Sequence, residues 1–359
     1  MIDINRMLQT AIEAGASDIH LTVGIPPKMR VNGRLEPLPV YDDMGNESNA
    51  RLMPPDTLAI ASCIMNDKQM ELFEKRGEYD MSYSVDNLGR YRVNVFKQRG
   101  SIAMALRLVG TQIPEPSALG VPESVMNLAD CKRGLVLVTG PTGSGKSTTL
   151  ASIVNRINKT RDAHVITLED PIEYLHRHDR SIVNQREIGL DSYSYADALR
   201  AALREDPDVI QIGEMRDLDT ISVAITAAET GHLVLSTLHT MNAPSTIERI
   251  IDIFPAEQQQ QIKIQLSTVL EAVVSQQLIP TADGRGRIAA FELMFAMPQI
   301  RSSIHDGNVG ALANQIQMGG NFGMISMDDA ILKLVKSGII TGDMAVQFAQ
   351  NPELMKRKI

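Results

Sequence analysis

Cysteine is scarce in this chain of 359 residues. Its two cysteines, Cys63 and Cys131, lie far apart and form no CxxC pair. A disulfide-stabilised scaffold or a cysteine-rich zinc site needs several thiols at close spacing. The sequence therefore predicts two reduced thiols with a structural role and disfavours both of those classes.

Tryptophan is absent and aromatic residues make up 4% of the chain, while acidic residues outnumber basic ones by 43 to 35. Proteins that hold single-stranded nucleic acid usually combine aromatic stacking surfaces with excess positive charge. Because the composition offers neither, nucleic acid is not an expected partner.

Features of membrane insertion are also missing. Residues 1–6 lack the basic-then-apolar order of a signal peptide. A membrane-spanning helix needs about 20 apolar residues, and the best run, 221–238, contains Glu229 and His232. We expect a cytoplasmic protein without a membrane span, which acts at a membrane only by docking.

The first third of the chain mixes helical and strand patterns. Apolar residues recur at helical spacing over 4–14 and 57–73, and alternating segments between and after them predict strands. Asn32-Gly33 is typical of a type I′ hairpin turn. We predict an α+β sheet module over residues 1–113.

Residues 123–298 show short apolar runs that alternate with helical segments. This order is typical of an α/β domain with a mainly parallel sheet covered on both faces. The four clearest runs are 135–138, 164–168, 209–212 and 233–236. Several prolines mark a linker at 114–122, and residues 299–359 are predicted to be helical.

A complete phosphate-binding loop follows the first apolar run. Residues 140–147, GPTGSGKS, match GxxxxGK[ST] between a predicted strand and a predicted helix, as the motif requires. Backbone N–H groups and the helix N-terminus of such a loop bind phosphate oxygens. Lys146 is expected to reach the β- and γ-phosphates, and Ser147 to offer its hydroxyl to Mg²⁺. The predicted nucleotide-binding residues are Thr142, Gly143, Ser144, Gly145, Lys146, Ser147 and Thr148.

Carboxylates follow two other apolar runs. Glu214 lies just beyond the third run, where ligands bind in open α/β sheets, and is placed to polarise water for attack on a γ-phosphate. Asp170 and Glu173 follow the second run and are candidates to hold Mg²⁺ or its waters. The alternative for Glu214 is a solvated loop glutamate. The alternative for Glu169, Asp170 and Glu173 is a charged helix start.

Two histidines bracket the fourth run. His239 lies at its carboxyl end and His232 at its amino end, roughly 23 Å apart at the rise of a strand. At this separation, only one of the two histidines can contact the γ-phosphate bound in a given subunit. His239 is therefore the predicted sensor, and His232 is assigned to structure or to a subunit contact. Gln211, inside the third run, costs free energy on burial unless its amide is hydrogen-bonded.

Together these segments resemble the secretion ATPase superfamily of type II secretion and type IV pili. The resemblance rests on the phosphate loop, on 169–173, on 203–217 and on 230–239. Within 203–217, LREDPD followed by GEMRD is the most specific match. The opening GASDIHL at 15–21, the lack of an extra N-terminal domain and the lack of a tetracysteine insertion make the chain similar to the PilT-type pilus retraction ATPases.

This resemblance implies a RecA-like ATPase domain after a PAS-like module, assembled as a homo-hexamer that hydrolyses ATP with Mg²⁺. It implies docking at the inner-membrane pilus machine, on a platform protein, possibly beside a paralogous pilus ATPase. Glu214 is implied as catalytic base, with Asp170, Glu173 and His239 at the nucleotide.

The resemblance also brings arginines of the N-terminal module to the nucleotide. The matching positions are Arg92 and Arg107, with Arg99 as a weaker candidate. An arginine delivered across a subunit interface stabilises charge in the transition state and makes hydrolysis depend on assembly. Plain surface charge is the alternative for all three.

One segment departs from the retraction ATPases, which usually carry a helix reading AIRNLIRE. Residues 299–306 read QIRSSIHD, so that Ser303 replaces a leucine and His305 an arginine. This departure admits an accessory, PilU-like role. The sequence also leaves open a hexameric nucleic-acid translocase and a nucleotide-binding scaffold without turnover, although Lys146 together with Glu214 disfavours the scaffold.

Overall fold

The computed structural model describes residues 2–41, 45–85, 88–109 and 113–359. Contacts divide the chain into two compact units, Met1–Thr111 and Gln112–Ile359. Val121, from the predicted linker, is buried in a hydrophobic cluster of the second unit. In the described ranges, no helix has the length and apolarity that a membrane crossing demands.

The first unit is built on a six-stranded antiparallel sheet in the order β3-β2-β1-β8-β7-β6. Asn32 and Gly33 join β2 to β3 with positive φ angles of 48° and 81°, which confirms the predicted hairpin. The strands are β1 (Asp18–Leu21), β2 (Lys28–Val31), β3 (Arg34–Pro37), the separate pair β4 (Val40–Tyr41) and β5 (Glu47–Ser48), β6 (Glu78–Val85), β7 (Gly89–Gln98) and β8 (Ser101–Val109).

In the described part of the first unit, three helices accompany this sheet: α1 (Ile4–Glu13), α2 (Pro54–Ile64) and α3 (Asp67–Arg76). The helical pattern over 57–73 contains a break, so that the first of two helices stops before residue 66. Asn66 ends it because its side chain accepts a hydrogen bond from the Gln69 backbone N–H, and the Gln69 side chain accepts one from the Asn66 N–H, each at 2.9 Å. This capping box starts a second helix.

The second unit contains a seven-stranded sheet in the order β11-β10-β12-β13-β9-β14-β15, in which every neighbouring pair except β14-β15 is parallel. Its strands are β9 (Gly134–Thr139), β10 (His164–Glu169), β11 (Ile182–Glu187), β12 (Val209–Ile212), β13 (Leu233–Leu238), β14 (Leu270–Pro280) and β15 (Arg287–Phe295). Its helices are α4 (Glu123–Met126), α5 (Lys146–Thr160), α6 (Tyr195–Ala202), α7 (Leu218–Glu229), α8 (Ala243–Asp252), α9 (Ala256–Val269), α10 (Pro298–His305), α11 (Leu312–Met318), α12 (Met327–Lys336), α13 (Gly342–Phe348) and α14 (Pro352–Lys358).

Both faces of this sheet are covered. Along β9, Leu135 and Leu137 belong to one cluster of buried side chains, and Val136 and Val138 belong to another. A strand buried on both faces is apolar throughout, which explains the uninterrupted apolar runs in the sequence. The predicted α/β class is confirmed: a mainly parallel sheet follows an antiparallel sheet and precedes a helical C-terminal region.

The carboxyl ends of four parallel strands meet at one edge of the sheet. Thr139 pairs with Leu238, and Leu168 pairs with Ile212. The segments that leave β9, β10, β12 and β13 therefore start side by side, at the edge where open α/β sheets bind ligands.

Candidate active site

The phosphate loop passes close to β14, and this approach dictates its glycines. Gly140 has a φ of 140°, and a Cβ there would overlap the carbonyl oxygen of Gln276. A Cβ on Gly145, at φ 90°, would lie 2.9 Å from Nε2 of the same glutamine. Residues other than glycine rarely adopt such positive φ angles. The loop therefore needs glycine at Gly140 for space as well as for conformation, and at Gly145 for conformation.

Lys146 begins α5 and is buried under the loop. Its Nζ donates to the carbonyl oxygens of Gly140 at 2.8 Å and Pro141 at 3.0 Å. Burial lowers the pKa of this ammonium, and the negative charges of Glu214 and Glu173 oppose that shift. Ser144 Oγ is buried without a hydrogen-bond partner in the described structure. Both groups suit an anionic ligand of the loop.

A cleft of about 240 Å³ opens between this loop and the strand ends. It collects eight side chains or backbone positions that the sequence proposes for the nucleotide site. These are Thr142, Gly143, Lys146, Ser147, Asp170, Glu173, Glu214 and His239. Ser144, Gly145 and Thr148 belong to the same loop and helix start but do not line the cleft.

Glu214 is half-buried and contacts two cationic or ionisable side chains. Arg216 Nε lies 2.6 Å from its Oε1, and His239 Nε2 lies 3.3 Å from its Oε2. These partners orient the carboxylate at the cleft. Arg216 was not among the predicted site residues, although GEMRD contains it.

Glu169 ends β10 and is buried, unlike its exposed neighbours Asp170 and Glu173. Its Oε1 accepts hydrogen bonds from Thr167 Oγ1 at 2.6 Å and Gln185 Nε2 at 3.0 Å. Burial raises the pKa of this carboxyl, and the two hydrogen bonds oppose the rise. The alternative of a charged helix start is wrong, since residues 170–181, all of them described, contain no helix.

The two histidines lie at opposite ends of β13. His239 follows the strand and contacts Glu214. His232 precedes it, and its Nδ1 lies 2.9 Å from the carbonyl oxygen of Ala227 and 3.2 Å from Thr230 Oγ1. These contacts are local to the end of α7, and the role of His232 in structure or at a subunit contact stays a prediction.

Among the described residues, no three His, Cys, Asp or Glu side chains converge as a metal cage. Ser147 and Asp170 nevertheless line the same cleft. Mg²⁺ in nucleotide sites takes most of its ligands from phosphates and water, with one or two protein oxygens. The side chains present fit that kind of site.

Two residues of the site carry no local sequence signal. Gln276, on β14, accepts a hydrogen bond at 2.8 Å from Thr149 Oγ1 in the first turn of α5, and it lies against the phosphate loop. Tyr195 lines the cleft with its hydroxyl against Gly213, and burial raises its pKa. Both reach the site only because the sheet order brings distant segments together.

Gln211 lies on β12 at the floor of the cleft and is 6% exposed. Its Oε1 has no hydrogen-bond partner in the described structure. An unsatisfied buried acceptor costs about 1–3 kcal/mol. We expect Gln211→Leu to raise the free energy of unfolding by about 1 kcal/mol or more, measured by urea denaturation.

A second buried glutamine provides the control for that change. Gln276 Oε1 is hydrogen-bonded to Thr149, so Gln276→Leu should lower stability instead. A loss of stability in both variants would show that Gln211 is satisfied in solution.

The predicted arginines lie in the first unit. Arg92 on β7 and Arg107 on β8 are register partners, so their side chains share one face of the antiparallel sheet, and both are exposed. Arg107 Nε pairs with Asp18 Oδ1 at 2.8 Å. Although burial raises the pKa of Asp18, hydrogen bonds from Arg107 and Ser17 outweigh it and lower that pKa. The approach of Arg92 and Arg107 to a nucleotide stays a prediction.

A family model described as Type II/IV secretion system protein matches residues 1–324. The chain belongs to this family. Type IV pilus retraction ATPase PilT of Pseudomonas aeruginosa is 44% identical over 352 residues, which cover 98% of this chain and 99% of PilT. Type IV pilus ATPase PilU of the same organism is 41% identical over 350 residues, covering 98% of this chain and 89% of PilU.

A solved structure of the pilus retraction motor PilT with bound ADP superposes on this secretion-family chain with a TM-score of 0.89. It is 48% identical, and the match covers 99% of this chain and all of that one. The resemblance inferred from the sequence is therefore confirmed at the level of the family and of its PilT-type members.

Residues 299–305 of the altered segment lie in α10 of this family member, and Asp306 is the C-cap of that helix. Ser303, at the leucine position, is 9% exposed, and its Oγ accepts a hydrogen bond at 2.9 Å from Gln315 Nε2 on α11. Arg301 donates to the carbonyl oxygens of Ser267 and Thr268 at the end of α9. The helix is thus held by these polar contacts and by the buried side chains of Ile300 and Ile304, and His305 remains exposed.

Proposed function

We propose that this chain is the subunit of an ATP-hydrolysing motor that drives type IV pilus retraction. The observation that carries the proposal is the convergence of the phosphate loop, Glu214 and His239 on one cleft, in a chain similar to PilT over nearly its whole length. ATP binding and its use in retraction rest on that similarity and on the chemistry of the cleft.

ATP fits the cleft because the loop supplies a phosphate cradle. Gly140 and Gly145 adopt φ angles of 140° and 90°, and glycines in such a loop let backbone N–H groups converge on phosphate oxygens. Ser144 Oγ and Lys146 Nζ provide further donors. Bound Mg²⁺ would neutralise charge on the β- and γ-phosphates, held by Ser147 and, through water, by Asp170.

Glu214 is the proposed general base. Its carboxylate takes a proton from the water that attacks the γ-phosphorus, while the bond to the leaving ADP oxygen breaks. Arg216 and His239 hold this carboxylate from two sides. Glu173 and His239 are proposed to align the water and the γ-phosphate, since both line the same cleft.

We further propose that the active form is a homo-hexamer in the cytoplasm that docks on an inner-membrane platform protein. In this arrangement Arg92 and Arg107 of one subunit serve the nucleotide of its neighbour. Their shared face and their exposure support that use, because a cation delivered across an interface stabilises the transition state.

An accessory pilus ATPase is the second candidate function. The identity to PilU is close to the identity to PilT, and Ser303 and His305 alter the helix that retraction ATPases usually carry. A pilus retraction assay in a strain lacking its own retraction ATPase separates the two. Retraction by this chain alone supports the motor, and retraction only beside another ATPase supports the accessory role.

The motor proposal is tested by ATPase activity measured against protein concentration, with oligomer size read in parallel. We expect turnover per subunit to rise as hexamers form and to be absent in Lys146→Ala. The assembly-dependent part should also be lost in Arg107→Ala. Asp18→Asn, which removes the ion-pair partner of Arg107 and keeps the cation, is the matched control and should retain it.

Turnover that is independent of concentration, or a chain that stays monomeric, would mean that one subunit holds a complete site. An equal loss of activity in monomers and rings of Arg107→Ala would count against an arginine acting between subunits.

A further inference from the structure

Glu292 is a buried carboxylate outside the cleft. It lies on β15, is 3% exposed, and takes no part in the chemistry described above. Its Oε1 accepts a hydrogen bond at 2.7 Å from the backbone N–H of Ala243, the first residue of α8. The connection that enters α8 is residues 239–242, and it begins with the proposed sensor His239.

The other oxygen of Glu292 binds the C-terminal helices. Its Oε2 accepts a hydrogen bond at 3.3 Å from the backbone N–H of Met327, the first residue of α12. Gln350 Nε2, between α13 and α14, donates to the same oxygen at 3.3 Å. One carboxylate therefore joins the start of α8 to the start of α12 and to the α13–α14 connection.

The backbone N–H groups of Ala243 and Met327 lie in the first turns of their helices, where the helix itself supplies no acceptor. The side-chain caps Asn242 and Ser326 accept from residues further along, Ser245 and Asp329, and leave the first N–H of each helix to Glu292. A negative charge at two helix N-termini is also favoured by both helix dipoles. Burial raises the pKa of Glu292, and the hydrogen bonds from Ala243, Met327 and Gln350 oppose that rise. A carboxylate can accept on both oxygens, whereas an amide has one acceptor oxygen only.

The sheet connects Glu292 to the phosphate loop as well. Glu292 is the register partner of Ser275 on β14. Ser275 Oγ accepts a hydrogen bond at 2.9 Å from Thr139 Oγ1, and Thr139 directly precedes the loop. Glu292 thus lies in a row of polar side chains that starts at the loop and ends at the C-terminal helices.

We propose that Glu292 is a positioning residue that sets the His239 connection against the nucleotide cleft and ties it to helices α12–α14. This inference rests on the ATPase function proposed above. A shift of helices α12–α14 would move Ala243 through the carboxylate of Glu292. A shift at His239 would move those helices through the same carboxylate.

Glu292→Gln tests the proposal with little change of shape. The amide directs N–H groups at donors, so one of the contacts is lost. We expect kcat for ATP to fall about tenfold or more, with KM and the binding of a fluorescent ATP analogue within about twofold of wild type. When His239→Ala is already present, Glu292→Gln should cause little further loss of kcat, because the two residues act through the same connection.

Asp328→Asn is the matched control. Asp328 accepts hydrogen bonds from the backbone N–H groups of Gln350 and Asn351, so this change weakens the α13–α14 connection and leaves the bonds from Ala243 and Met327 to Glu292 in place. It should leave kcat within about twofold. Gln350→Glu changes an exposed residue and places a second carboxylate beside Glu292. It should cause a smaller loss of kcat that again depends on His239. This variant tests the proposal even if Glu292→Gln does not fold.

An equal loss of kcat in Asp328→Asn, or a full additional loss in the His239→Ala background, would make Glu292 a structural anchor only and overturn the proposal. Absence of turnover in the wild-type hexamer, with intact nucleotide binding, would overturn the ATPase function itself and this inference with it. Wild-type turnover with unchanged kcat in Glu292→Gln would overturn the inference alone.

Discussion

Glu214→Gln is expected to lower ATP turnover by about 100-fold or more while ATP affinity stays within a few-fold of wild type. The amide keeps the size of the carboxylate and can still accept from Arg216, which lies 2.6 Å away. It cannot take a proton from water. Loss of a base should therefore appear in kcat, because binding depends on the phosphate loop.

Single-turnover hydrolysis and equilibrium binding of ATP separate the two effects. Glu205→Gln is the matched control, since Glu205 lies on the same segment but pairs with Arg186 away from the cleft. It should hydrolyse ATP at close to the wild-type rate. Unchanged turnover in Glu214→Gln would remove Glu214 from the role of base.

Gly140→Ala is expected to abolish ATP binding and to destabilise the second unit. Its Cβ would overlap the carbonyl oxygen of Gln276, which belongs to a central strand and has no freedom to move aside. The φ of 140° adds backbone strain that alanine does not tolerate. Either the loop or β14 must shift, and both form the phosphate cradle.

Gly143→Ala is the comparison that isolates the collision. Gly143 has a positive φ of 77°, but a Cβ there meets nothing within 4 Å. This variant should lose about 1 kcal/mol from backbone strain and retain measurable ATP binding. Thermal unfolding and ATP titration of both variants measure the difference, and equal losses would mean that strain, not contact with β14, limits the loop.

Local sequence patterns predicted the parts of this protein that depend on neighbours along the chain. The phosphate loop is a strand, a set of glycines and a helix start within a few residues, so its physical requirements are all written in one segment. The apolar runs predicted a sheet covered on both faces for the same reason. The split between α2 and α3 was missed although Asn66 and Gln69 form a recognisable capping box.

Contacts between distant segments were decided by the tertiary structure alone. His239 meets Glu214 because β12 and β13 are neighbours in the sheet. Gln276 reaches the loop because β14 lies beside β9. No periodicity or spacing reports which strands pair, since pairing depends on the burial of both faces of the whole sheet.

The sequence by itself determined that this chain has a nucleotide loop, an α/β sheet and the motifs of its family. Only the tertiary structure decided which glycines are required by contact with β14, and that Glu292 joins α8 to the C-terminal helices. The physical reason is that a motif is a property of adjacent residues, whereas a buried carboxylate takes its role from the N–H groups that the fold brings to it.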